Sequence, residues 1–196
     1  MMTEIRQARI LILATDGFEQ SELLVPLEQL RAKGATVDVA APEKTREPGV
    51  IVAWDGAAEP EDWGQKVKVD RKLAEVREED YHALVLPGGV INPDKLRVET
   101  AAVELVKRFA ASGKVVAAVC HGPWMLVEAG LAKGRRMTSF ASIRTDVQNA
   151  GATWLDQEVV TDQGIVTSRS PKDLDAFVAK IVEEVQEGQH SHRSAA

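Results

Sequence analysis

Short apolar runs alternating with helical segments constrain this chain more than any other feature. Arg9 to Ala14 reads RILILA, Thr36 to Ala41 TVDVAA, Tyr81 to Leu86 YHALVL, and Val115 to Val119 VVAAV. Runs this short, apolar and rich in β-branched residues fit strands buried on both faces. The intervening segments carry a helical period. Leu23, Leu24, Leu27 and Leu30 recur at that spacing before Lys33-Gly34, with Pro26 expected to kink the helix or lie near its start. Val103, Val106 and Phe109 do the same within Thr100 to Ala111, and Gly113 is the stop. Behind Ser170-Pro171-Lys172-Asp173, which reads as an N-cap, a first-turn proline and an acid three residues on, Leu174, Phe177, Val178, Ile181, Val182 and Val185 form a one-sided stripe. Alternation of this kind predicts an α/β fold, a mainly parallel sheet covered by helices on both faces.

Composition narrows the class. With 196 residues the chain is read as one domain over 1–187, with 188–196 as a disordered tail. His190 and His192 fall in that tail without carboxylate or thiol neighbours, so they are not read as a metal site. The absence of a long apolar stretch or a leader pattern gives a cytoplasmic reading with no membrane partner. One cysteine permits no intrachain disulfide. The formal charge of -6 is spread without a basic stripe, which argues against nucleic acid as a primary partner.

The chemistry-bearing stretch is Lys114 to Gly130. The run Val115 to Val119 leads directly into Cys120, then His121, Gly122 and Pro123, and a helix from Trp124 to Glu128. A sharp strand-to-helix turn lifts a nucleophile above the sheet and aims helix N–H groups at it, favouring thiolate. His121 is either a partner in that chemistry or a structural hydrogen-bonder. Glu19 lies just past the first strand, on the same sheet edge as Cys120, and from position alone is either a helix cap or a site acid. Pro87-Gly88-Gly89 follows a third strand, where glycine N–H groups could face a developing oxyanion.

The rest is less regular. Residues 43–70 form an extended excursion, with strands expected at Val50 to Val52 and Val67 to Val69; Trp54 and Trp63 could line a site, an interface or simply pack. Asn92-Pro93-Asp94 opens a short turn or helix, Arg136 to Phe140 a short strand, and Ile143 to Ala150 a short helix. Glu158 to Thr161 and Ile165 to Ser168 flank Asp162-Gln163-Gly164, a hairpin signal.

Four motifs carry a family resemblance: DGFE at 16–19, ALVLPGG at 83–89, AVCHGPW at 118–124 and TSFASIRTDVQNAGATWLDQEVV at 138–160. In this order they resemble the DJ/PfpI superfamily, closest to its PfpI-type branch of intracellular proteases and general stress proteins. The resemblance implies a flavodoxin-like, class I glutamine amidotransferase-like three-layer sandwich. It implies Cys120 as nucleophile, Glu19 as the acid on the sulfur, His121 as its neighbour, and Gly88, Gly89 and the His121 N–H around the oxyanion. In that branch a further acid comes from a neighbouring subunit; Asp94 aligns with it, as a shorter residue than the usual Glu, so a homo-oligomer is expected. The implied activity is that of a stress-response cysteine enzyme on reactive carbonyls, a small carbonyl substrate such as methylglyoxal or a glycated protein, without metal or organic cofactor. A cysteine peptidase and a non-enzymatic redox-responsive stress protein or holdase are the alternatives. A glutamine amidotransferase is disfavoured because no histidine lies between 122 and 189.

Overall fold

In a computed structural model describing residues 3–56, 58 and 62–189, the apolar runs form the middle of one sheet. The elements are β1 (Arg9–Leu13), β2 (Phe18–Glu19), α1 (Gln20–Ala32), β3 (Thr36–Ala41), β4 (Val50–Asp55), β5 (Asp62–Lys68) and β6 (Arg71–Lys72). They continue with β7 (Ala83–Leu86), α2 (Ile91–Leu96), α3 (Thr100–Ala111), β8 (Val115–Val119), α4 (Pro123–Glu128), β9 (Arg136–Met137) and α5 (Arg144–Asn149). Last come β10 (Thr153–Trp154), β11 (Val159–Asp162), β12 (Ile165–Ser168) and α6 (Leu174–Glu187). His190 and His192 lie outside the described residues, as does most of the expected tail.

The seven-stranded sheet runs β11-β12-β8-β7-β1-β3-β6, parallel except for β11 against β12. Alternate strand residues face opposite sides, which gives two cores. Ile10, Ile12, Val85, Ala117 and Val119 pack with Leu23, Leu27, Phe177 and Ile181 of α1 and α6. Leu11, Leu13, Leu84, Leu86 and Val116 pack with Val106 and Phe109 of α3 and Leu126 of α4. The register pairs Leu86 with Ala118 and Ser168 with Val119, so these strands end on one edge. From β1 the chain goes one way to β3 and later the other way to β7 and β8. Open α/β sheets place their sites at such a switch point, beyond the strand carboxyl ends.

The 43–70 excursion is a built element. β4 and β5 pair antiparallel and β2 joins β4 in a separate three-stranded sheet. Trp54 and Trp63 meet edge to face with centroids 5.6 Å apart, and the Arg46 guanidinium lies 4.0 Å from the Trp63 ring centre, so both tryptophans serve hairpin packing. Buried Asp16 ties the hairpin to the sheet edge, accepting the Arg46 N–H at 2.7 Å and the Val52 N–H at 3.0 Å.

Some local expectations shift. Pro26 sits inside α1, where it removes the helical bond to the Glu22 carbonyl while the helix continues to Ala32. Ser170 makes no side-chain cap; Asp173 instead pairs with Arg169 at 2.9 Å. The expected strand at Arg136 to Phe140 shrinks to β9, paired with β10 outside the main sheet.

Candidate active site

Cys120 begins where β8 ends. Its φ of 61° is a left-handed conformation uncommon for a non-glycine residue, and it turns the side chain away from the sheet plane at the head of α4. The turn is pinned by backbone bonds: Cys120 N–H donates to the Ser168 carbonyl at 3.0 Å, Gly122 N–H to the Val119 carbonyl at 2.8 Å, and the Cys120 carbonyl accepts from Phe140 at 2.9 Å. The thiol is 5 % exposed.

The acid on the sulfur is Glu22, and Glu19 is the helix cap. Glu19 has extended backbone at the N-cap of α1, and its Oε2 accepts the Glu22 N–H at 2.8 Å and the Ser21 hydroxyl at 2.6 Å. Those two bonds hold the Glu19 carboxylate on its own helix. Three residues on, Glu22 is turned to the interior and is 0 % exposed. Its Oε2 accepts the Gly88 N–H at 3.0 Å, its Oε1 is buried without a hydrogen-bond partner, and the carboxyl lies close enough to Cys120 for each group to shift the ionisation of the other. The Glu19 expectation is therefore corrected by helix phase. Glu22 was missed, although a signal existed: it shares the buried stripe of α1 with Leu23, Pro26, Leu27 and Leu30, a carboxyl where apolar residues belong.

Burial, and then the nearby Glu19 charge, pushes the Glu22 carboxyl up to about 8, so at neutral pH it carries a proton. Burial foremost, then a charged Glu22, pushes the Cys120 thiol up, against the pull of the Gly89 and His121 backbone N–H groups. The thiolate preference expected from the turn alone is thus overridden by desolvation. A protonated Glu22 removes the repulsive charge and presents an O–H to the sulfur, so this carboxyl controls when negative charge can form there.

The Pro87-Gly88-Gly89 turn divides its work. Gly89, at φ 76°, and His121 have backbone N–H groups close enough to Cys120 to favour negative charge on it. Gly88 spends its N–H on Glu22, which corrects its place among the oxyanion donors. A Cβ on Gly88 would lie 2.5 Å from Glu22 Oε2 and 2.7 Å from Cys120 Cβ, so only glycine lets acid and thiol meet. Buried Asn92, also missed from the sequence, locks the turn: its Nδ2 donates to the Pro87 carbonyl at 2.9 Å and its Oδ1 accepts the Thr15 N–H at 2.7 Å.

His121 is 7 % exposed, and burial lowers its pKa below the ordinary imidazole value, keeping it neutral. Its Nδ1 lies 3.1 Å from Cys120 Sγ and its Nε2 3.0 Å from Ser142 Oγ. Phe140 stacks on the ring at 5.0 Å and Trp124 meets it edge-on at 5.3 Å. Asp94 is exposed on α2, and among the described residues His121 has no carboxylate hydrogen-bond partner. Within one chain the structure brings together Cys120, His121, Glu22 and Gly89 and leaves Glu19 and Asp94 outside that cluster. Among the described residues no group of three or more His, Cys, Asp or Glu is placed to hold a metal, and no helix is long and apolar enough to cross a membrane.

The model of the DJ-1/PfpI family matches residues 8–184. The chain is 41 % identical over 174 residues to the protein named Deglycase PfpI of Pyrococcus furiosus, covering 89 % of this chain and 97 % of that one. It is 39 % identical over 170 residues to Protein/nucleic acid deglycase 2 of Escherichia coli, covering 86 % and 92 %. The crystal structure of Drosophila melanogaster DJ-1beta superposes with a TM-score of 0.79 at 26 % identity, over 91 % of this chain and 90 % of that one.

Proposed function

The chain belongs to the DJ-1/PfpI family, and from that membership we propose that it is a cysteine enzyme acting on reactive carbonyls, methylglyoxal or the early adducts it forms on proteins. The observation that carries this reading is one buried thiol held between a protonated carboxyl, Glu22, and a neutral imidazole, His121, under two backbone N–H donors.

The arrangement suits addition to an aldehyde. As the sulfur attacks the aldehyde carbon, a C–S bond forms, the carbonyl π pair moves to oxygen, and the thiol proton passes to His121 Nδ1. Creating charge only in this step matches a site whose burial disfavours a resting thiolate. The Gly89 and His121 N–H groups, already close to Cys120, lie beside the nascent oxyanion, and Glu22 can supply its proton. With methylglyoxal, the proton of the former aldehyde carbon passes to the neighbouring carbon and the hemithioacetal hydroxyl proton to the neighbouring oxygen, which gives a lactoyl thioester, and water releases lactate and the thiol. The electrons balance within the substrate. With a glycated amine, the departing group is the amine.

A peptidase must admit an extended backbone to its nucleophile, and a cysteine only 5 % exposed suits a small carbonyl better. We also infer a homo-oligomer in which Asp94 of a second copy approaches this edge. Sedimentation velocity tests the assembly.

The decisive experiment is conversion of methylglyoxal to lactate by the wild type and by Cys120→Ser, in buffer free of thiols and amines. Turnover lost in the variant is the expected result. No turnover in the wild type, with Cys120 still oxidised by dilute peroxide, would overturn the proposal in favour of a redox-responsive stress protein.

A further inference from the structure

The imidazole that accepts the thiol proton needs an orienting partner, and in this chain the nearest one is a hydroxyl. We propose that Ser142 is the positioning residue of the site, holding His121 so that Nδ1 faces the Cys120 sulfur. This rests on the carbonyl-enzyme reading for its chemistry, while its geometry stands separately.

The two contacts of the ring are nearly equal in length, 3.1 Å from Nδ1 to Sγ and 3.0 Å from Nε2 to Ser142 Oγ, so the imidazole bridges nucleophile and hydroxyl. Ser142 sits in a short 3-10 turn, Ala141–Ile143, that begins directly after Phe140. The Phe140 N–H is bonded to the Cys120 carbonyl at 2.9 Å, and the Phe140 ring stacks on His121. The same turn therefore fixes the plane of the ring through Phe140 and its rotation through Ser142. Buried Ile143, next in sequence, anchors the turn in the core.

A hydroxyl orients the ring as a carboxylate would, without placing a charge beside it. Bonded to the neutral ring, Ser142 can accept from Nε2–H, leaving the Nδ1 lone pair free to take the thiol proton. Once Nδ1 is protonated, the same oxygen continues to accept from Nε2–H of the imidazolium. When the proton must return, the ring resumes its neutral form without a buried ion pair to break. Ser142 thus orients the base and leaves it only weakly basic, which suits proton transfer coupled to C–S bond formation.

The charged groups around the ring are engaged elsewhere. Asp146 on α5 accepts the Trp124 indole N–H at 2.8 Å, and Arg97 reaches Glu128 at 3.2 Å while lying 5.4 Å from the Trp124 ring centre. Glu22 meets the ring only through the sulfur. Asp94, on α2, is exposed.

The test measures Cys120 alkylation by iodoacetamide against pH, with methylglyoxal turnover in parallel, for wild type, Ser142→Ala, Ser142→Thr, Ser142→Asp and Asp94→Asn. We expect Ser142→Ala to react roughly tenfold more slowly at neutral pH with unchanged thermal unfolding, and Ser142→Thr to recover most of the loss. Ser142→Asp should move the acidic limb upward by about one pH unit, because a carboxylate stabilises imidazolium. An alanine variant with the wild-type rate and limb would overturn the proposal, as would a limb moved by Asp94→Asn alone. Alkylation that follows Ser142 in a protein with no carbonyl turnover would support the positioning role and defeat the carbonyl reading.

Discussion

Glu22 and Cys120 meet over Gly88 in a space almost sealed from solvent, the former 0 % and the latter 5 % exposed, and each shifts the ionisation of the other. Two carboxyls stand at the head of the same helix, and Glu22 is the one that acts on the Cys120 thiol. Glu22→Gln keeps the shape but cannot transfer a proton, and it should lower turnover by about 10² to 10⁴. Glu19→Ala removes the cap and should cost about 1 kcal/mol of stability. Steady-state kinetics and urea unfolding of both variants separate the roles; the reverse assignment predicts the reverse pattern.

Glu22 also makes stability depend on pH. Burial raises its carboxyl from an ordinary value of 4.5 to about 8 in the folded chain, so between those values the folded state binds more protons than the unfolded state. Its favourable contribution is fully present below the unfolded value and is lost as pH rises through the folded one. The difference is on the order of 4–5 kcal/mol at most. Urea unfolding at mildly acidic and mildly alkaline pH should show wild type losing stability relative to Glu22→Gln, in which this linkage is gone. Parallel behaviour of the two proteins would remove Glu22 as the cause.

Gly88→Ala should damage the site and the fold together. The added Cβ would meet Glu22 Oε2, Cys120 Cβ and the Val119 carbonyl at 2.5, 2.7 and 2.8 Å. Relief requires acid and thiol to separate, so turnover and Cys120 alkylation should both change, with about 1–3 kcal/mol of destabilisation. Thermal unfolding alongside alkylation kinetics checks this.

Asp16 should govern the 43–70 hairpin. Removing its carboxylate in Asp16→Ala leaves the Arg46 and Val52 N–H groups without their acceptor, at a cost of about 2–4 kcal/mol. Limited proteolysis should show faster cleavage within residues 43–70 while far-ultraviolet circular dichroism remains close to wild type. Equal resistance in both proteins would mean that the β2–β4 pairing and the tryptophan pair hold the hairpin without Asp16.

Much of this was legible in order along the chain. The runs that became β1, β3, β7 and β8 are continuous and apolar, so burial on both faces was implied before any contact was known. Cys120 was legible for a related reason: a nucleophile turn is local, and strand, small residues and helix start all lie within a few positions of it. The Pro87-Gly88-Gly89 turn was legible as a site candidate because it follows a strand of the same sheet.

What the tertiary structure decided is which side chains meet across elements. Glu19 and Glu22 are both acids near the same helix start, and choosing between them requires the helix phase relative to Cys120, more than ninety residues away in sequence. Glu19 is the N-cap, and its extended backbone lets its carboxyl turn back onto the helix N–H groups, whereas Glu22 lies inside α1 on the face that packs into the core. Ser142 and Asn92 carry no chemical signature of their own, and each acquires its role only because the fold brings it against His121 or the Pro87-Gly88 turn. Short-range pattern specifies the strands of the sheet and the strand-to-helix turn that carries Cys120. The acid, the orienting hydroxyl and the ionisation of the thiol depend on distance and desolvation, which exist only once the layers have packed.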